Sequence, residues 1–264
     1  MKFSHILFVL SFLFSACVNS SNTPEPIPDK PQPPSPVDPS QLCESFLEDF
    51  SGQLNSCLEQ NIRTSRTDFR YYTAFPSVSE RNTLVMLLRI DPTDAAGIKR
   101  GPALSSVRGC YYGSYSVRMR VPNTIKAQPD LGVCVSMNLV DEDSQMGISY
   151  EVRLSSPKEV YAIYAETVDT FEPVGFNANS KFYEYGIDWS ENKIVWWLRF
   201  PNNEKTIIKE EKNEKYKTPL SFSFNYYHSK LKPISGRPTS IQPPLYAYEL
   251  ELDYMKYIPF KNEE

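Results

Sequence analysis

The segment YGSYSVRMRVP, residues 112–122, alternates large apolar and mostly polar side chains from Tyr115 to Val121. Side chains along a β-strand point to opposite faces in turn, so this alternation predicts a strand with one buried face. The Pro122-Asn123 pair that follows is typical of a turn. We therefore predict an amphipathic β-strand over these residues.

The same pattern recurs along the chain on both sides of this segment, with turn-forming Pro, Ser and Asn clusters between the runs. The further predicted strands are Leu84–Ile90, Val133–Val140, Ile148–Leu154, Val160–Glu166, Tyr183–Trp189, Ile194–Phe200, Leu220–Tyr226 and Tyr248–Tyr257. No long helical period interrupts them. This pattern predicts a single all-β domain over residues 42–264, a β-sandwich or jelly roll. The charge-rich stretch Lys209–Lys217 is expected to form a solvated hairpin tip.

Composition limits the classes of partner. The 17 Tyr and 15 Phe favour strands, and the net charge of −4 argues against nucleic acid, which requires a clustered basic face. With only His5 and His228 and no C-x-x-C spacing, a zinc site is not expected. We expect a monomeric domain that needs no cofactor.

Residues 1–16 have the organisation of an export signal. Lys2 provides the positive end, Ile6 to Phe14 forms a short apolar run, and Ser15-Ala16 precedes Cys17. Such a run is too short to span a bilayer. A small residue followed by cysteine resembles the lipobox of bacterial lipoproteins, which implies lipidation of Cys17 and a membrane anchor in the cell envelope. The alternative is an ordinary signal peptide with an incidental cysteine.

Residues 17–41 form the lipidated cysteine and a linker. Eight prolines lie between Pro24 and Pro39, which favours an extended polyproline II spacer of roughly 50 Å. Beyond the linker, four cysteines could form two disulfides with three pairings, among which the sequence does not choose. These are Cys43, Cys57, Cys110 and Cys134.

Four segments resemble glycoside hydrolase family 16, the laminarinase and lichenase group. Residues 48–52 resemble the opening motif of the family, and residues 112–122 its "YG-FEVRMKVP" strand. Residues 182–189 resemble "FHTYGIEW", and residues 252–257 resemble the closing "VDYVRVY" strand. The four matches occur in family order. The resemblance implies a concanavalin A-like jelly roll with a sugar cleft on its concave sheet.

The family performs its chemistry on one strand, written E-x-D-x-E, whose three acids share the cleft face. A retaining glycosidase needs a nucleophilic carboxylate and a proton-donating carboxyl group about 5–5.5 Å apart. By resemblance, Glu151 has the acid/base position, Ser149 the assisting position and Gly147 the nucleophile position. Glycine has no side chain, so residue 147 cannot supply the nucleophile that the covalent step requires. Replacement by an acid of the 141–143 segment would require a different strand register.

The neighbouring strand has also lost residues that contact sugars. The "GVWPAFW" segment of the family aligns with residues 132–138, where Cys134 and Asn138 replace the two stacking tryptophans. Tyr183 stands where the family usually has His. Trp189, Trp196 and Trp197 are expected in the core. Candidate ligand-binding residues, with half of the tyrosines expected in the core, are Arg118, Asn138, Glu151, Arg153, Tyr111, Tyr112, Tyr164, Tyr183, Asn225, Tyr226 and Tyr227.

These observations predict a lipoprotein whose family 16-like domain binds a polysaccharide, a β-glucan or a related glycan, without hydrolysing it. One alternative is an active endo-β-glycoside hydrolase with an atypical nucleophile. The other is a structural or adhesion sandwich that binds no sugar. The resemblance also implies a structural calcium site on the convex side, with Asp253 as a ligand.

Overall fold

The computed structural model describes residues 42–62, 68–73, 82–88, 102–123, 133–141, 146–228 and 248–260. The chain divides into two units, residues 1–37 and 38–264, and every described residue belongs to the second. The predicted export signal, Cys17 and the proline-rich linker therefore lie outside the described residues. Within the described part of the chain, no helix is long and apolar enough to cross a membrane.

The described residues form fifteen β-strands and no α-helix, which confirms the predicted all-β class. The strands are β1 Phe46–Glu48, β2 Leu58–Ile62, β3 Asp68–Thr73, β4 Asn82–Leu88, β5 Pro102–Ser106, β6 Gly113–Arg120, β7 Val133–Val140, β8 Gly147–Arg153, β9 Val160–Tyr164, β10 Thr167–Phe171, β11 Tyr183–Trp189, β12 Lys193–Arg199, β13 Lys205–Lys212, β14 Ser221–His228 and β15 Tyr248–Pro259.

Two antiparallel sheets contain these strands. The first has the order β13-β12-β11-β6-β15-β4-β3, with β1 paired to β15. The second has the order β10-β9-β8-β7-β14-β5-β2. Sequence neighbours are often separated in the sheets, so the chain crosses repeatedly between them, as in a jelly roll. The segment at residues 112–122 contributes β6 near the middle of the first sheet.

The core between the sheets is rich in aromatic side chains. Tyr115 of the first sheet packs 5.2 Å from Phe222 of the second, and Tyr150 lies edge-on to Tyr185 at 5.5 Å. Across the same core, the Trp196 indole donates a 2.9 Å hydrogen bond to the Ser149 carbonyl oxygen. This bond fixes β12 of one sheet against β8 of the other.

One expectation was wrong. The charged stretch from Lys209 is not a hairpin tip, because residues 205–212 form the edge strand β13, paired with β12. Alternate side chains of this strand are more exposed, as its charged sequence requires at a sheet edge. Trp189, Trp196 and Trp197 are all buried as predicted, although Trp197 lies outside the main core cluster. Its ring lies against Gly186, where an added Cβ would collide with the indole.

Candidate functional site

Strand β8 divides its side chains between the core and the opposite face of the second sheet. Ile148, Tyr150 and Val152 belong to the hydrophobic core. Ser149 and Glu151 are therefore directed to the other face, the predicted cleft face, together with Arg153. This is the parity that the sequence predicts.

Five polar side chains form a continuous patch on this face, which we call the polar row. Pairing of β7 with β8 places Ser136 opposite Glu151 and Asn138 opposite Ser149. The members of the polar row are Ser136, Asn138, Ser149, Glu151 and Arg153. All five are buried, with at most 5% of any residue exposed. Burying polar groups is costly unless they are hydrogen-bonded, so their pairing determines what the row can do.

Glu151 is an ion-paired residue at the centre of the row. It has no exposed surface, and its Oε1 accepts a 3.0 Å hydrogen bond from Nε of Arg153, whose side chain is only 4% exposed. The guanidinium of Arg153 in turn lies 4.5 Å above the ring of Tyr161. Burial and the hydrogen bond to Glu159 raise the pKa of Tyr161 to about 12, so its hydroxyl stays protonated and donates to Glu159.

No second carboxylate lies beside Glu151 on its own strand or in register on the flanking strands. Its same-face neighbours along β8 are Ser149 and Arg153, and its partners across the two ladders are Ser136 and Tyr161. A retaining glycosidase needs its second carboxyl group about 5–5.5 Å away. These four positions do not supply it.

Gly147 has no room for a side chain. A Cβ built on its backbone would collide with the Leu139 carbonyl oxygen and lie 2.8 Å from the Leu139 carbonyl carbon. The obstacle is the backbone of β7, which cannot rotate away as a flexible side chain can. The position that resembles the nucleophile site of the family therefore excludes every residue except glycine unless β7 moves.

Two buried polar atoms of the row retain unused hydrogen-bonding capacity. Nη2 of Arg153 and Oδ1 of Asn138 have no hydrogen-bond partner among the described residues. The amide nitrogen of Asn138 bonds to Oγ of Ser136 at 3.0 Å. Such unsatisfied buried atoms are rare and require an explanation, for which a bound ligand is one candidate. One is a donor and the other an acceptor, so the hydrogen-bonding character of hydroxyl groups matches either atom.

Beside the buried row, the same face becomes more accessible at β14. Asn225 and Ser223 are half-buried, and the amide of Asn225 donates a 3.1 Å hydrogen bond to Oγ of Ser223. They lie opposite Ser136 and Asn138 of the row, respectively. Asn225 is thus a predicted ligand-binding residue that the structure places on the cleft face, at its accessible border.

Other predicted ligand residues lie elsewhere. Tyr226 and Tyr183 belong to the hydrophobic core. Tyr164 also faces the core, where its hydroxyl accepts hydrogen bonds from the backbone amides of residues 214 and 215. Arg118 belongs to β6 of the other sheet. These four are not brought into the cleft. The reason is parity for Tyr164 and Tyr226, since both lie an odd number of residues from a cleft-facing position.

Tyr111 and Tyr112 lie outside the polar row. Tyr111 and Tyr112 stack on each other at 4.1 Å and pack against Trp189. Tyr227 lies opposite Cys134 on β14. Sequence reasoning missed Tyr161, an aromatic residue that faces the row. The β8–β9 register, which places Tyr161 opposite Glu151, cannot be read from the sequence.

Asp253, the predicted calcium ligand, is instead ion-paired with Arg118. It lies at a register shift of β15 between Leu252 and Tyr254 and is 5% exposed. Among the described residues, no group of three or more His, Cys, Asp or Glu side chains could hold a metal. The other ligands expected for calcium are backbone oxygens, so the calcium site at Asp253 stays a prediction.

The two antiparallel sheets place the protein in the class of jelly-roll β-sandwiches. Within that class, the chain belongs to the glycosyl hydrolases family 16, whose model matches residues 65–232. The match covers more than half of the chain and includes β8. No curated protein matches the chain.

Solved structures support the fold. A beta-glucanase of Bacillus licheniformis has 15% identity and a TM-score of 0.60, with 83% of this chain and 100% of that chain covered. A lichenase from a mouse hindgut metagenome has 13% identity and a TM-score of 0.60, with coverages of 82% and 99%. An endo-1,3-beta-glucanase from Streptomyces sioyaensis has 13% identity and a TM-score of 0.56, with coverages of 84% and 98%. At these identities the similarity shows the fold alone.

Proposed function

We propose that this protein is an exported lipoprotein whose family 16 sandwich binds a β-glucan or related polysaccharide without hydrolysing it. The observation that carries the proposal is Gly147, because the backbone of β7 leaves no space for a nucleophile at that position. A family scaffold without a nucleophile still retains a face that can contact sugar. Binding without cleavage is the function that remains.

The surroundings of Glu151 support the absence of hydrolysis. A general acid must release a proton to the leaving oxygen, whereas Glu151 is held by the guanidinium of Arg153. The carboxylate is buried and ion-paired, so it is not presented to a leaving group. In this proposal both halves of the retaining mechanism are missing, the nucleophile at Gly147 and an accessible acid at Glu151.

The unsatisfied atoms of the polar row support binding. Arg153 Nη2 offers a donor and Asn138 Oδ1 an acceptor. Sugar hydroxyls both donate and accept. One hydroxyl can accept from Arg153 Nη2, and another can donate to Asn138 Oδ1. Ser223 and Asn225 form the accessible border through which a chain end or a turn of a polysaccharide reaches the row. Several solved relatives of this fold are beta-glucanases by name, which supports β-glucan as the ligand class.

The proposed anchor rests on residues outside the described part of the chain. Ser15-Ala16-Cys17 ends a short apolar run and resembles a lipobox, and the proline-rich segment after it suits an extended spacer. In this proposal the lipid holds the protein on a bacterial envelope membrane while the spacer separates the sandwich from the surface. Labelling with a radioactive fatty acid tests the anchor, and a Cys17→Ser variant should not be labelled.

One observation favours a second candidate, a structural or adhesion sandwich. The members of the polar row are at most 5% exposed, which is low for a surface that binds a polymer. In that case the Glu151–Arg153 pair serves only to satisfy the interior of the face. Binding measurements separate the two functions.

Affinity electrophoresis tests the proposal directly. The purified protein is run through gels that contain laminarin, lichenan or a galactan. We expect retardation by at least one glucan, and weaker retardation for Asn138→Ala and Asn225→Ala. Lys205→Gln is the matched control, because this exposed residue lies on the other sheet, paired with Asp188. Unretarded migration with every glycan would favour the structural sandwich.

A further inference from the structure

A pocket lies on the outward face of the first sheet, on the opposite side of the sandwich from the polar row. Its volume is about 330 Å³, at the lower end of the roughly 300–1,000 Å³ of small-molecule sites. We call it the outer pocket. It is lined by Arg118, Phe182, Glu184, Arg199, Phe200, Pro201, Asn203 and Tyr254.

Strand register builds the floor of the outer pocket. Arg199 of β12 lies opposite Glu184 of β11, Glu184 lies opposite Arg118 of β6, and Arg118 lies opposite Tyr254 of β15. Four adjacent strands thus contribute one residue each to a straight row across the sheet. Side chains in such a row are held by a rigid scaffold, which reduces the entropy lost on binding.

The carboxylate of Glu184 in this row is fully compensated. Oε1 accepts hydrogen bonds from Oγ of Ser116 at 2.8 Å and from Nζ of Lys256 at 3.1 Å. Nε of Arg199 lies 3.3 Å from Oε2. Burial, followed by the charge of Glu184 and a hydrogen bond to it, raises the pKa of Tyr254, so this phenol stays protonated. Glu184 therefore orients its neighbours and presents little unbalanced charge to the pocket.

Both arginines of the row retain donors for a ligand. Arg118 uses Nη1 for Asp253, and Arg199 approaches Glu184 through Nε without the geometry of a hydrogen bond. Their side chains are 31% and 39% exposed, so the guanidinium groups are accessible. Each guanidinium has five N–H donors in a fork that fits two oxygens of one anion.

The charge balance of the outer pocket favours an anion. Three cations, Arg118, Arg199 and Lys256, face two carboxylates, Glu184 and Asp253, which leaves a local charge of +1. The whole chain has a net charge of −4, so this patch is positive against the general trend of the molecule. This local positive charge favours the binding of an anionic group and does not favour that of a neutral one.

Beside its charged and polar groups, the outer pocket is lined by Phe182, Phe200 and Pro201. The guanidinium carbon of Arg118 lies 5.4 Å from the centroid of the Phe182 ring, and this contact orients the arginine. Phe200 and Pro201 precede the turn at Asn203, a residue with φ of +67° that also lines the pocket. Aromatic faces beside charged donors suit a ring that has apolar C–H faces and a charged substituent.

We propose that the outer pocket binds an acidic sugar residue, one that carries a carboxylate or a sulfate ester. Arg118 and Arg199 bind the anionic group, and Phe182 or Phe200 packs against the sugar ring. That the pocket takes an anion follows from its own residues. That a saccharide carries the anion rests on the proposed function, because only a glycan-binding protein would meet such polymers as its ligands.

The test is isothermal titration of the purified protein with trigalacturonate, with a sulfated trisaccharide, with neutral laminaritriose and with inorganic sulfate. We expect an acidic trisaccharide to bind, and the affinity to fall as salt rises because the contact is ionic. In Arg199→Gln the affinity should fall at least about ten-fold, since a hydrogen bond to a charged group is lost. Tyr254→Phe is a second variant that keeps the ring and removes only the hydroxyl, and we expect it to bind more weakly as well.

Lys205→Gln is the matched control for these variants. It also removes a cation from the outward face of the first sheet, 4.3 Å from the Trp197 ring, but does not line the outer pocket. Unchanged affinity in this control, with loss in Arg199→Gln, supports the proposal. The proposal is overturned if no acidic trisaccharide binds, if Arg199→Gln binds as well as the parent, or if laminaritriose depends equally on Arg199. Binding of inorganic sulfate alone would overturn the saccharide part and retain the anion site.

The outcome also separates this inference from the function proposed for the polar row. Asn138→Ala lies on the other sheet and should leave the binding of acidic trisaccharides unchanged. If acidic sugars bind through Arg199 while laminarin and lichenan do not retard the protein, the outer pocket stands and the polar row proposal fails. If laminarin or lichenan retards the protein while no acidic trisaccharide binds, the polar row proposal stands and the outer pocket proposal fails.

Discussion

Gly147 and Glu151 lie four residues apart on one strand, and a different neighbouring residue constrains each of them. The backbone of Leu139 leaves no space for a side chain at Gly147. The guanidinium of Arg153 binds the carboxylate of Glu151 in a buried setting. Under the proposed function, these two contacts explain the absence of hydrolysis by packing as well as by sequence. Restoring an acid at residue 147 would therefore not restore a site.

The first prediction concerns the stability of Gly147→Ala. The added methyl group collides with backbone, so we expect the free energy of unfolding to fall by about 1–3 kcal/mol. Gly52→Ala is the matched control, because a Cβ at Gly52 would meet nothing within 4 Å. That control should change stability by no more than about 0.5 kcal/mol. Denaturant unfolding measures both, and equal stability of the two variants would contradict the described packing of β7 against β8.

The second prediction concerns the buried pair of Glu151 and Arg153. Removing one partner leaves the other charge buried, so Glu151→Gln and Arg153→Met should each destabilise the protein by about 3 kcal/mol or more. The double variant leaves neither charge and should cost less than the sum of the two single changes, by at least about 1 kcal/mol. Denaturant unfolding of the three variants gives the coupling. Strict additivity would show that the two side chains do not interact in solution.

At the scale of elements, three cysteines meet where the segment before β1 contacts the β5–β6 connection. The amide of Cys43 donates to the Gly109 carbonyl at 2.9 Å, which brings it next to Cys110, and its Sγ lies 3.9 Å from the Cys57 carbonyl oxygen. Cys110 bridges to Leu220, beside the Val140 end of β7, whereas Cys134 lies near the other end of that strand. Six residues of strand span roughly 20 Å, too far for a Cys110–Cys134 disulfide.

This arrangement excludes the pairing of Cys110 with Cys134, one of those that the sequence leaves open. None of the four described cysteines is in a disulfide in the structure. Cys43 is the neighbour of both Cys57 and Cys110, so oxidation can form at most one disulfide within this group. The sequence could not show this, because spacing along the chain carries no information on which end of β7 each cysteine approaches.

The third prediction concerns the reactivity of Cys43. A hydrogen bond from the Cys110 thiol lowers the pKa of Cys43 to about 6, while burial and the Cys43 charge raise the pKa of Cys57. Above about pH 6, Cys43 is therefore a thiolate, whereas Cys57 stays protonated. We expect iodoacetamide labelling of Cys43, followed by mass spectrometry, to fall by half near pH 6 as the pH decreases. Cys57 is the internal control, and a labelling profile of Cys43 that rises only near pH 9 would contradict the arrangement.

Strands with two-residue alternation were predictable from the sequence, and those that lack it were not. All nine predicted runs coincide with observed strands, from β4 to β15. Residues 102–106, β5, read Pro-Ala-Leu-Ser-Ser and show no alternation, because four of the five are buried in the structure. Strand β13 was missed since its charges suit an exposed edge as well as a loop.

At the scale of the whole molecule, the two sheets carry different outward surfaces. The second sheet carries the buried polar row, and the first carries the outer pocket between Arg118 and Arg199. A protein held by a lipid and a long spacer, as proposed, could present both surfaces to polymers. Two independent contacts on one domain would increase avidity for a branched or mixed glycan.

The candidate site was predictable only as far as strand parity allows. Alternation placed Ser149 and Glu151 on one face, and the pairing of β7 with β8 agrees. The closed space at Gly147 and the ion pair of Glu151 depend on distances between strands, which a single sequence does not contain. The outer pocket requires four strands in register, and it was missed for the same reason.

The central claim is that this family 16 sandwich binds glycan without cleaving it, and the release of reducing ends from laminarin and lichenan tests it most directly. The purified protein is incubated with each glucan at several pH values, beside an active beta-glucanase as the positive control. We predict release no faster than in buffer, for the parent protein and for Glu151→Gln alike. Release by the parent that disappears in Glu151→Gln would contradict the account and show a working hydrolase.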